Sequence, residues 1–239
     1  MSWLARLFRP QIEMSPGLAN RVREWRERPA VSENTTLAAA RFVVVDVETS
    51  GLDTRKDRLL SVGAVTVESL RLDAGASYET ILRREELSER ENILIHGIGP
   101  QAQAAGEEPE EVLMQFLEFT GKWPLVAFHA VFDRTVLDRE LRETLGVRLP
   151  NAWIDLAQLA PVLVPEARLP RAGLDEWLAY FGLRAHARHR AVDDALVTGE
   201  LFLILLKRAL AGDLDAVGSL LAAAEAHQRK LQGSGFGGA

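Results

Sequence analysis

The chain has no cysteine among its 239 residues. Disulfides, thiolate nucleophiles and cysteine-based zinc sites are therefore excluded, and any bound metal must take oxygen or imidazole ligands. No apolar run approaches the roughly eighteen residues that a membrane-spanning helix needs. A basic excess is missing too: 34 Asp and Glu against 28 Lys and Arg leave a formal net charge of −6. That balance argues against a protein that coats nucleic acid by bulk charge, but it suits one that grips a strand end through few phosphates. The stretch from Met1 to Arg9 is too short for the apolar region of a secretory signal, and no small-residue cleavage site follows it. A cytoplasmic protein is the expectation.

What is present is the material of a folded core: 47% hydrophobic and 26% charged residues. The length suits one substantial domain with some decoration, and no internal repeat is visible. Residues 1–39 carry Pro10, Pro16 and Pro29 around a short amphipathic stretch, Leu18 to Trp25, and read as an arm with one short helix. Phe42-Val43-Val44-Val45 is a compact β-branched run, the pattern of a buried central strand over Arg41 to Val47. Leu59 to Val67 and Tyr78 to Leu82 follow as strands, with Gly51-Leu52-Asp53 turning the chain after the first. Helical spacing then appears from Glu107 to Thr120 and from Phe132 to Leu145, with a short strand, Pro124 to Phe128, between them. Trp153 to Asp155 reads as a strand leading into a helix that stops before Pro165. Leu174 to Phe181, Ala191 to Leu210 and about Leu214 to Lys230 are further helices, and a Gly-rich tail follows that is expected to be disordered. This order predicts an α/β layered domain with a mixed sheet over residues 40–210, followed by a C-terminal helix and tail over 211–239.

Three places put carboxylates where they need a partner. Asp46 and Glu48 lie two apart on a strand, so they share a face, about 6–7 Å apart along it. Two carboxylates leaving the end of a buried strand are costly unless a cation neutralises them, although Asp-x-Glu alone also suits a solvated strand end. Asp133 opens a helix shortly after the Pro124 to Phe128 strand. There it serves either as a ligand or as a charge complementing the helix dipole. In His189-Arg190-Ala191-Val192-Asp193-Asp194, helical geometry separates two neighbouring acids. Asp194 shares the apolar stripe of Val197, Leu201 and Leu205, whereas Asp193 lies about 100° away toward Glu200. Asp194 is accordingly the candidate ligand and Asp193 a solvated or capping residue. His189 precedes this helix in a loop.

These segments together resemble the three motifs of the DEDDh (DnaQ-like) 3′→5′ exonucleases, a family that includes the proofreading epsilon subunit of bacterial DNA polymerase III. The matching segments are Asp46-Val47-Glu48-Thr49-Ser50-Gly51-Leu52-Asp53, Phe128 to Asp133, and His189 to Asp194. Ile95-His96-Gly97-Ile98 and Leu174-Asp175-Glu176-Trp177-Leu178 resemble two further family segments, and the likeness spans about residues 40–210. The sequence departs from the pattern where the second motif usually has His-Asn and this chain has Phe128-His129. Ser50 replaces the usual second Thr of the first motif.

The resemblance implies a ribonuclease H-like, mixed five-stranded sheet flanked by helices. It implies two divalent cations, Mg²⁺ or Mn²⁺, held by Asp46, Glu48, Asp133 and Asp194, with His189 as general base. It also implies contacts to a single-stranded 3′ end from Thr49, Ser50, Gly51, Leu52, His96 and His129, and it allows a DNA polymerase subunit as partner. Asp155 reads as a helix cap and Glu107 to Glu111 as a helix N-terminus. Gln232-Gly233-Ser234-Gly235-Phe236 matches alternate positions of a sliding-clamp-binding peptide without its central apolar residue.

Overall fold

Strand β1 (Arg41–Thr49) buries Phe42 through Val45 completely, so it must lie inside a sheet covered on both sides. In the computed structural model, which describes residues 12–85, 90–185 and 189–234, it is the middle strand of five. With β2 (Leu59–Glu68), β3 (Arg71–Ile81), β4 (Leu125–Ala127) and β5 (Trp153–Asp155) the spatial order is β3-β2-β1-β4-β5. The first three strands are antiparallel, and β4 and β5 run parallel to β1. The expected mixed five-stranded sheet is what the chain forms.

The period of two along β1 sends alternate residues into two separate cores. Phe42 and Val44 join one core with residues of α6 (Leu156–Leu163), α7 (Leu174–Phe181), α8 (Ala191–Ala211) and α9 (Val217–Ser234). Phe42 meets Phe202 of α8 edge-on, ring centroids 5.0 Å apart. Val43, Val45 and Val47 face the other core, built with α1 (Pro16–Glu27), α4 (Pro109–Thr120) and α5 (Val131–Leu145). Asp46 and Glu48 continue the first series, so they emerge on the face that carries α8.

Three expectations need correction. Strand β3 begins at Arg71 rather than Tyr78, because Ser69 and Leu70 close a two-residue hairpin with φ of 52° and 59°. Both residues take the positive φ of a type I′ turn without the glycine or asparagine that would announce it. Two short helices, α2 (Arg90–His96) and α3 (Pro100–Ala104), lie in a stretch with no clear period. Finally, α9 starts later than expected, at Val217, and runs on through Ser234, so the first residues of the supposed tail are helical. Residues 235–239, and with them Gly235 and Phe236 of the clamp-like sequence, lie outside the described residues, as does the Met1 to Arg9 stretch. No helix among the described residues is long and apolar enough to cross a membrane.

Candidate active site at the ends of the parallel strands

The carboxyl ends of β1, β4 and β5 share one edge of the sheet, the usual place for ligands in α/β folds. Asp46, Glu48 and Asp194 each bring a carboxylate oxygen within 4.8 Å of the other two. Asp194 comes from the first turn of α8 and is 5% exposed, and its Oδ2 accepts the His189 backbone N–H at 2.9 Å. Asp193 turns aside and pairs with Arg190 at 3.5 Å. Of the two neighbours, Asp194 lies on the packed side of α8 and Asp193 on its more open side.

Asp133 enters from α5 on the other side of β1, buried at the helix start. Desolvation pushes its carboxyl up to about 8, with Asp155 and Glu48 adding repulsion against hydrogen bonds from its own backbone and that of Val47. It stands beside the three-carboxylate group and within its field rather than inside the 4.8 Å set. The donor set is all oxygen, which fits a hard divalent cation, and such a cation would relieve the charge crowding at Asp133.

His189 is exposed, with a backbone φ of 63° just ahead of α8. Arg190 binds Glu79 of β3 through contacts of 3.0 and 3.2 Å, so the segment that carries His189 is tied across the sheet. Below this tie is a cavity of about 610 Å³ whose walls include Glu48, Ser61, Glu79, His96 and Arg190. His96 Nδ1 accepts the Ile98 backbone N–H at 3.0 Å, which assigns the ring proton to Nε2. Burial lowers the pKa of His96, and its Nε2 is buried with no hydrogen-bond partner among the described residues. A donor is therefore held in the wall of this cavity.

The turn after β1 is heavily braced. Thr49 Oγ1 donates to Gly51 O at 2.6 Å, and Asp57 accepts from Ser50 Oγ and from the Asp53 backbone N–H at 3.3 and 2.7 Å. A methyl on Gly51 would meet the Asp57 carboxylate at 2.5 Å, so any larger residue there would have to displace the side chain that braces the turn. Arg139 of α5 donates to the Thr54 and Asp57 carbonyls from beneath, and Asn92 of α2 donates to Ser50 O. At the tip Leu52 is 86% exposed. Asp57, Asn92 and Arg139 were not foreseen, because their role lies in bonds to a distant loop.

His129 does not face the 610 Å³ cavity. It is exposed at a φ of 62°, and its backbone N–H is held by Asp155 Oδ1 at 3.0 Å. Asp155 also caps α6 through Ala157 N at 3.0 Å, as expected, so one carboxylate secures both the cap and the turn that leads into α5. Burial raises its pKa against those hydrogen bonds.

The arrangement has counterparts among known proteins. The RNase_T exonuclease family matches residues 43–202, two thirds of the chain, and the chain belongs to that family. The DNA polymerase III PolC-type protein of Thermotoga maritima is 32% identical over 173 residues, covering 72% of this chain but only 12% of that much longer relative. The DNA polymerase III epsilon subunit of Treponema pallidum is 30% identical over 165 residues, covering 69% of this chain and 76% of the relative. The fold is shared with E. coli exonuclease I in complex with a dT13 oligonucleotide, at a TM-score of 0.61 and 19% identity, over 72% of this chain and 42% of that one. The DEDDh resemblance drawn from the motifs is thereby borne out.

Proposed function

We propose that this protein hydrolyses phosphodiester bonds one at a time from the 3′ end of single-stranded or frayed nucleic acid, DNA in preference to RNA, releasing nucleoside 5′-monophosphates. The observation that carries this reading is the convergence of Asp46, Glu48 and Asp194 beside a cavity large enough for a nucleotide. Asp46, Glu48, Asp133 and Asp194 would hold two divalent cations, Mg²⁺ or Mn²⁺, which would supply activation of water and stabilisation of charge at the phosphoryl group. His189, exposed and at the head of α8, takes the proton of the attacking water. Leu52, on its braced turn, packs against the terminal base, and the His96 Nε2–H donates to an acceptor of the terminal nucleotide. Thr49 to Gly51 present the turn on which that nucleotide rests.

The names of the two polymerase relatives support a second element of the reading, action alongside a DNA polymerase as a proofreading partner. Incubation with 5′-labelled DNA and RNA in Mg²⁺, Mn²⁺ or EDTA tests the enzyme. A metal-dependent ladder that shortens from the 3′ end and vanishes in Asp46→Ala supports it, and intact strands under every metal condition overturn it.

A further inference from the structure

A second cleft opens on the same edge of the sheet, one strand further along. Its volume is about 370 Å³, and its walls include His129, Gln158, Arg171, Gln228, Leu231 and Gln232. Three features set it apart. It contains no carboxylate among its described lining residues, in a chain of net charge −6 and next to a site crowded with acids. It offers three side-chain amides, an imidazole and an exposed guanidinium, and Arg171 makes no ion pair among the described residues. Its far wall is α9, which lies beyond the residues matched to the exonuclease family. That wall is fixed: Val217, Leu220 and Ala224 are buried in the core with α6, and His227 Nδ1 lies 3.2 Å from Gln158 Oε1.

The cleft is also joined to the active site. Neighbouring strands lie about 4.8 Å apart, and β5, at whose end the cleft opens, adjoins β4, which runs into Asp133. Asp155 holds the His129 turn and the first turn of α6 together, so one carboxylate secures both the floor of the cleft and the approach to α5.

We propose that this cleft is a subsite for the nucleic-acid strand on the 5′ side of the terminal nucleotide. Arg171 takes a backbone phosphate, the Gln158, Gln228 and Gln232 amides meet base or sugar edges, and Leu231 packs against a base. Amides that both donate and accept tolerate any base, and the exposed Arg171 guanidinium supplies a phosphate contact. The proposal rests on the exonuclease reading for its substrate, and α9 makes the subsite an addition of this chain to the family domain.

The test compares Arg171→Ala and the double variant Gln228→Ala/Gln232→Ala with the native protein. Two substrates are used: a ten-nucleotide oligothymidylate, and the p-nitrophenyl ester of thymidine 5′-monophosphate, which reaches only the terminal position. The ratio of KM for the decamer to KM for the ester should rise roughly five- to tenfold in each variant. For Arg171→Ala, the slope of log affinity against log salt should shrink by about 0.7, the signature of one lost single-strand phosphate contact. Anisotropy of a 5′-fluorescein decamer in EDTA measures the same contacts without turnover, so it decides the cleft even if the exonuclease reading fails on both substrates. Arg171 and Gln232 are exposed, so folding is not at stake for them. Unaltered decamer binding in both variants, or an equal rise in KM on the two substrates, would overturn the proposal.

Discussion

Gly63 of β2 stands directly opposite Asp46 in the β1–β2 ladder, and the first turn of α8 rests on it. A methyl group there would lie 2.1 Å from the Ala191 carbonyl carbon and 2.2 Å from the Val192 nitrogen. These are backbone atoms, which cannot swing away. The missing side chain lets the helix that carries Asp194 descend far enough to meet Asp46 and Glu48.

Gly63→Ala should therefore lift the start of α8 and part the three carboxylates. The expected result is a loss of Mn²⁺ affinity, measured by calorimetry, together with a destabilisation of about 1–3 kcal/mol from overpacking. Native-like Mn²⁺ binding in Gly63→Ala would show that the close approach is not what assembles the site.

Arg139 should act on substrate binding rather than on chemistry. It is buried, donates to the carbonyls of Thr54 and Asp57, and shares the buried Glu140 with Arg84. Arg139→Met leaves two loop carbonyls without their donor and frees the turn that displays Leu52. KM for a strand should rise about tenfold with little change in kcat, and stability should fall by about 1.5–3 kcal/mol. Arg139→Lys restores one of the two bonds and should recover part of the KM. A variant with lower kcat at native KM would assign Arg139 to another role.

Much of this architecture was legible because burial and period agree. Phe42 to Val45 could only be an inner strand, and the Leu174 to Phe181 helix falls where its apolar spacing put it, with Gly182 in the left-handed cap after it. Asp194 separated from Asp193 because the 100° step between successive helical residues carries one onto the packed face and the other toward the wet one. The start of β3 was hidden because Ser69 and Leu70 accept a positive φ that their side chains do not advertise. Arg139 was hidden for a different reason. Its partners are backbone carbonyls 82 and 85 residues earlier, which have no residue type to read. Gly63 did leave a trace, since a lone glycine inside a strand marks a close backbone approach.

His189 is the residue whose removal should separate chemistry from metal binding. Its side chain is exposed, and its tie to Asp194 is made by the backbone N–H, which survives substitution. His189→Ala should keep Mn²⁺ affinity and thermal stability near native while turnover falls roughly 10²–10⁴-fold. A parallel loss of Mn²⁺ affinity would instead place the imidazole among the ligands.

Asp133 gives the metal-free protein a pH dependence of defined sign. Its carboxyl is raised from 3.8 to about 8 in the folded state, so between those values the folded protein holds a proton that the unfolded chain has released. Stability must then fall as pH rises through this window, by up to about 1.4 kcal/mol per pH unit, and level off above it. In EDTA the melting temperature should drop from pH 5 to pH 8, and Asp133→Asn should flatten that drop and melt higher than native at pH 8. Saturating Mg²⁺ should remove the difference in slope. An identical pH profile for native and variant in EDTA would mean that the buried carboxyl is already ionised.

The N-terminal lead-in should contribute to folding through its tryptophan and not through its ion pairs. Trp25 is buried against α4, donates from Nε1 to Gly121 O at 3.2 Å, and carries the Lys122 ammonium over its ring. Arg21 makes contacts of 2.7–2.8 Å with Glu111 and Glu118, but these groups are about a third exposed and largely screened. Trp25→Ala should cost about 3–5 kcal/mol in urea unfolding, the range for truncating a large buried ring. Arg21→Ala should cost no more than about 1 kcal/mol. If the order were reversed, the helix would be held by charge and would loosen in high salt. If both variants were neutral, residues 16–27 would be an appendage that merely lies on α4, and the folded unit would begin near β1.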